Sequence, residues 1–143
     1  MSSELRVDKI IPTGGVPTGG GGGVIQVVSV SKRDIFTTTN GVSGSGYAPV
    51  TGLAATITPK SNTSKILVQV CMNIGIQNAG FNLSCELYRD STRIFAGTDT
   101  SNKQGFVQIE GNTTGGQYKI YNQTATTLDS PASSSAVVYK VMG

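Results

Sequence analysis

The chain has no histidine, only two cysteines, and few charges: 13% of its 143 residues are Asp, Glu, Lys or Arg. Each shortage removes a class of chemistry. Without histidine, Ser-His-Asp and Cys-His nucleophilic catalysis fall away, as do most zinc sites. Cys71 and Cys85, with no histidine to join them, make no structural zinc site. The carboxylates are Glu4, Asp8, Asp34, Glu86, Asp90, Asp99, Glu110 and Asp129. A glycosidase needs two of them held across a cleft. Glu86 and Asp90 share one strand face at best, and solvated side chains are expected there. The run "GTDTSN" around Asp99 supplies only part of a calcium loop's ligand spacing, so a polar turn is expected. The glycine run lacks the G-x-x-x-x-G-K-[ST] continuation of a phosphate cradle. "SVSK" matches a bare S-x-x-K pattern, yet on a strand Ser29 and Lys32 point to opposite faces. No enzyme activity, cofactor or metal is expected.

Long apolar runs are also missing. None approaches the ~18 residues that span a bilayer, so membrane insertion is not expected. The first residues, "MSSELRVDK", carry charge and no apolar stretch of a targeting signal. Synthesis and assembly in a reducing cytoplasm, with free thiols, is the expectation. Net charge is +3 with a pI near 9.0, but the basic residues are dispersed. Lys32-Arg33 is the only adjacent pair, and Asp34 follows at once. A nucleic-acid partner, which selects a basic stripe or cluster, is not expected.

What is present is glycine, small polar residues and β-branched residues. Residues 1–23 read as an arm. Pro12, Gly14, Gly15, Pro17 and the five glycines at 19–23 rule out a continuous regular element. Residues 24–143 read as one all-β domain. In "KILVQVCMNIGI", Ile66, Val68, Val70, Met72, Ile74 and Ile76 recur at a spacing of two, a strong strand signal. After the turn candidate "QNAG" comes "FNLSCELY", with Phe81, Leu83, Cys85 and Leu87 on one face and Asn82, Ser84, Glu86 and Tyr88 on the other. The two runs predict a long hairpin with one face in a core. Cys85 is expected as a small core residue and Cys71 as half-buried. Further strands are predicted at 24–31, 35–38, 52–58, 106–109, 117–122 and the final run, where Val137, Tyr139 and Val141 share a face. Turn signals about every ten residues suit an all-β sandwich or barrel. The tyrosines, Tyr47, Tyr88, Tyr118, Tyr121 and Tyr139, are expected mainly in packing rather than around a sugar.

Three stretches carry a resemblance. "ELRVDKIIPTGGVPTGGGGGVIQVV" resembles the N-terminal segment of tail-fibre-like structural proteins of bacteriophages, especially those of cyanobacteria and other aquatic bacteria. "ITPKSNTSKILVQV" is similar to a stretch recurring in the β-rich domains of those proteins, and "DSPASSSAVVYKV" to their usual ending. Nearly the whole chain is covered, with residues 77–125 more divergent. The resemblance implies a virion component with a short attachment arm and an antiparallel, jelly-roll-like β-sandwich that is often a homotrimer. It implies that the arm anchors to another virion protein of the tail or capsid through Leu5, Arg6, Val7, Ile10 and Ile11. The glycine run would then let the body swivel, or let three chains pass closely at an axis. The body would meet a host surface glycan or protein, with loops 40–47, 77–80, 97–105 and 111–117 as tip candidates and no receptor-binding residue assigned. A capsid decoration protein or head fibre with the same body is the alternative. No repetitive shaft separates arm and body, so a very short fibre or knob is expected.

Overall fold

The computed structural model describes residues 24–38, 47–76, 82–95, 105–110 and 119–143. Among these the regular structure is all β. Seven strands follow in order: β1 (Pro49–Ile57), β2 (Ile66–Ile76), β3 (Asn82–Arg89), β4 (Thr92–Phe95), β5 (Val107–Glu110), β6 (Lys119–Asp129) and β7 (Val137–Met142). They form two antiparallel sheets. One has five strands, ordered β1-β7-β3-β4, with β5 also paired to β3; the other is the pair β2-β6.

Side chains from both sheets meet in one core. Ile74 from β2, Cys85 and Leu87 from β3, Val107 from β5 and Val141 from β7 are buried together. Val68, Val70 and Met72 of β2 and Tyr121 of β6 pack against them. This is the alternation that the spacing predicts: Ile66, Val68, Val70, Met72 and Ile74 turn inward while Leu67, Gln69, Cys71 and Asn73 face out. On β7, Val137, Tyr139 and Val141 are buried, as their shared face requires.

The predicted hairpin between β2 and β3 is not formed. β2 pairs with β6 without a break, from Ile66 opposite Asp129 to Ile76 opposite Lys119. β3 lies in the other sheet, where Leu87 is opposite Val141 and Tyr88 opposite Lys140 of β7. A period of two fixes which face a side chain takes, but it does not choose the neighbouring strand. The apolar faces of β2 and β3 do meet, across the core rather than side by side. The linking "QNAG" lies outside the described residues.

Three further expectations need correction. Residues 24–31 and 35–38 form no strand, and the apolar side chains of 24–31 stay in solvent. β4, conversely, is a strand that the pattern did not announce. Its signal is the Asp90-Ser91 pair: Arg89 is opposite Thr92, so a two-residue loop joins β3 to β4. Asp90 sits at φ +52°, a conformation aspartate tolerates because its short side chain bonds locally. The register then slips between Leu87 and Tyr88. The slip lets both Ile94 and Phe95 pack against the core. Phe95 meets Phe106 edge to face at 6.1 Å. Finally, Glu86 is not a solvated carboxylate but is fully buried.

The two thiols are free and differ sharply. Cys85 is buried among apolar side chains, and that burial pushes its pKa up to about 11. Cys71 is exposed on the outer face of β2, not half-buried as expected, with Asn122 Nδ2 3.6 Å from its sulfur. A thiol-disulfide reagent at pH 8 is therefore expected to titrate one equivalent in the native protein and two in denaturant. Two fast equivalents in the native state would show that Cys85 is not sealed in the core.

Candidate interaction surface

Two ion pairs hold the best-buried carboxylates among the described residues, Asp129 and Glu86. The first is built around Asp129, the last residue of β6. Arg89 Nη1, at the end of β3, donates to both of its oxygens at 2.8 and 2.7 Å. The Tyr139 hydroxyl of β7 donates to Oδ2 at 2.6 Å. Asp129 thus ties the two-stranded sheet to the five-stranded one. The bond to Asp129 raises the Arg89 pKa, while burial and then the same carboxylate push the Tyr139 hydroxyl up. Next to it, Asp90 exchanges two bonds with Val138: its N–H donates to the Val138 carbonyl at 2.8 Å, and Oδ1 accepts the Val138 N–H at 3.0 Å. The turn from β1 to β2 lies at this same end. There Pro59 is buried, and the Ser64 N–H donates to the Ser61 carbonyl at 3.1 Å. The Ser61 N–H returns a bond to Ser64 Oγ at 3.1 Å.

The second pair lies on the face of the five-stranded sheet turned away from the core. Arg93 Nη1 of β4 donates to Glu86 Oε1 at 2.9 Å, with the Arg93 side chain 38% exposed and that of Glu86 sealed. Glu86 Oε2 and Ser84 Oγ have no hydrogen-bond partner among the described residues. Burial, and then the Glu86 carboxylate, raise the neighbouring Tyr88 hydroxyl. A buried carboxylate of this kind costs stability unless a cation compensates it. Among the described residues, no group of three or more His, Cys, Asp or Glu is placed to hold a metal ion. No helix among them is long and apolar enough to cross a membrane.

The outer face of the β2-β6 pair carries no charge between Leu67 and Leu128. On the outer face of the β2-β6 pair, Leu67 is opposite Leu128, Gln69 opposite Thr126, Cys71 opposite Thr124, Asn73 opposite Asn122 and Gly75 opposite Ile120. Asn122 Nδ2 donates to Asn73 Oδ1 at 2.9 Å across the strands. Leu67, Leu128 and Ile120 are exposed. So are Val24, Ile25, Val27, Val28 and Val30 in the segment leading into the body, and Ile35 beyond it. That segment is fastened at its far end. Lys32 is ion-paired with Asp34 and passes over β1 at Gly52, where an added Cβ would stand 3.8 Å from its Nζ. The pairing holds the Asp34 carboxyl below its usual pKa.

The sequence-predicted anchoring residues Leu5, Arg6, Val7, Ile10 and Ile11 lie outside the described residues. So do the tip candidates 40–47, 77–80, 97–105 and 111–117, apart from Tyr47 and Gly105. Tyr139 is buried, and Tyr121 is packed against the core, in keeping with the packing reading. The apolar outer face of β2-β6 escaped the sequence reading. Its signal was Leu67, an apolar residue on the otherwise polar side of an alternating run. Comparison of the chain with protein-family models, with curated proteins and with solved structures finds no match.

Proposed function

We propose that this chain is a non-enzymatic structural protein of a bacteriophage particle, a short tail fibre or receptor-binding protein. Its N-terminal arm, through Leu5, Arg6, Val7, Ile10 and Ile11, anchors it to another virion protein. Its jelly-roll-like β-sandwich, as a homotrimer, meets the host surface. The supporting observation is the resemblance of both ends of the body to phage β-rich domains, together with what those residues do. Asp129 and Tyr139 of "DSPASSSAVVYKV" bond to each other, and "TPKSNTSK" makes the turn into β2. The recurring motifs are thus frame-building residues, as expected of a structural family and not of a catalytic one. The pairing of first strand with last and second with next-to-last also suits a jelly roll. Three weak sites on one rigid body gain avidity of roughly 10²–10⁴ over one, a reason for a host-attachment protein to be trimeric.

Immunogold labelling of intact particles with antibody raised against the full chain tests this reading. Gold at the tail or its collar is expected. Gold spread over the head assigns the chain to capsid decoration instead, and particles without gold end the virion reading. Removal of residues 1–23 is expected to abolish incorporation into particles while the body still folds.

A further inference from the structure

Residues 24–31, "VIQVVSVS", have the composition of a strand and, among the described residues, no strand to pair with. Val24 is 83% exposed, Val27 79% and Ile25 51%, in a segment without a single charge. In an extended conformation Val24, Val28 and Val30 face one way and Ile25 and Val27 the other. Apolar residues on both faces suit a strand inside a sheet that is apolar on both sides. They do not suit a solvated linker.

The β2-β6 sheet has an apolar inner face, and its uncharged outer face is apolar at both ends. Its inner face carries Ile66, Val68, Val70, Met72 and Ile74, and its outer face Leu67, Leu128 and Ile120. Among the described residues it has two strands only, each eleven residues long, so each keeps a free edge. Long open edges are templates for pairing with another chain, and natural proteins blunt them with charge, proline or cover. The outward-facing residues described on β2 and β6 between Leu67 and Leu128 include no charge and no proline.

We infer that residues 24–31 of one copy add as a strand to the free edge of the β2-β6 sheet of another copy. Every chain carries one donor segment and one acceptor sheet, so the stoichiometry closes without a foreign partner. Joining the edge satisfies backbone groups on both sides. It also continues the apolar row on the inner face of the acceptor sheet and can cover Leu67, Leu128 or Ile120 on the outer one. The eight exposed large apolar residues of the donor segment and the acceptor sheet amount to on the order of 900 Å² for one donor–acceptor contact, to which backbone pairing along the edge is added. Donor and acceptor are different surfaces, so the contact is heterologous, and a closed ring uses every donor segment while covering one of the two edges of each acceptor sheet. The glycine run at 19–23, just before the donor, leaves the upstream chain free to turn away from the acceptor. This inference stands on the pairing and exposure of the body and is independent of where the chain sits in a particle.

Light scattering on the full chain at micromolar concentration, with the double variant Val27→Lys/Val28→Pro beside it, tests the inference. Lysine and proline block strand addition at an edge, and Val27 and Val28 lie outside the described strands and the buried core, so the variant is expected to fold. The expected result is an oligomer for the wild type, a monomer for the variant, and an unchanged oligomer for the control Ile35→Lys. Hydrogen exchange on the wild type is the second readout. The amides of residues 24–31 are expected to exchange at least ~100-fold more slowly than in a free peptide, and to lose that protection in the variant. A monomeric wild type, an oligomer that survives the double variant, or exchange of 24–31 at free-peptide rates would each overturn it.

Discussion

Replacing Asp129 by alanine is expected to lower the stability of the body by about 3 kcal/mol, read as a fall in the urea midpoint with an unchanged slope. The loss has two parts. The Arg89 side chain, only 20% exposed, is left without the carboxylate that compensates its charge. The Tyr139 hydroxyl, on a residue 5% exposed, loses its acceptor, and an unsatisfied buried donor costs about 1–3 kcal/mol. Asp129→Asn keeps an acceptor and is expected to lose less. If Asp129→Ala unfolds at the wild-type midpoint, the bridge between the sheets carries no stability. The same cluster sets the response to alkali. The Tyr139 pKa is raised in the folded state, so its contribution is whole below the unfolded value near 10 and is lost as pH rises through the folded one. Cys85 acts in the same direction earlier, from 9.0 toward about 11. The midpoint is therefore expected to fall from about pH 9 upward, and Tyr139→Phe to flatten the part above about pH 10, at the expense of stability at neutral pH.

Leu87→Ala is expected to have the larger effect, a loss of about 3–5 kcal/mol. Leu87 is 1% exposed and lies in the cluster that joins β2, β3, β5 and β7. The register slip that brings both Ile94 and Phe95 onto this core occurs at the same residue. Neighbours held by two sheets and a bulge relax little into a vacated space, so the cavity remains open and its cost is added to that of the lost burial. In a domain with a total of about 5–15 kcal/mol, such a loss removes a large fraction of the margin. Leu87→Met, which conserves volume, is expected to cost less than about 1.5 kcal/mol. Equal midpoints for the alanine and methionine variants would mean that the two sheets do not share a single core at this point.

Much of the strand content was legible because burial obeys a period of two. The inward rows of β2 and β7 were read residue by residue from their apolar alternation. Strand neighbours were not legible, because the pairing of β2 with β6 joins residues more than forty positions apart, and nothing local distinguishes it from a hairpin with β3. Glu86 misled for a related reason. It occupies the polar side of an alternating strand, and Arg93, brought round by the two-residue Asp90-Ser91 loop, compensates its charge. Asp129 was given no role of its own in the sequence reading, although it sits in a run singled out for its resemblance. Its role depends on Arg89, forty residues earlier. The segment 24–31 was legible as strand-like, and its lack of a partner was not.

The ionic tie at Asp129, the Asp90 bonds to Val138 and the Ser61 to Ser64 turn all gather at one end of the two sheets. The strands leave from the opposite end into residues 77–81 and 111–118. One end is therefore a clasp: Asp129 fastens β6 to β3 and β7 there, so loosening that pole would release the two sheets from each other.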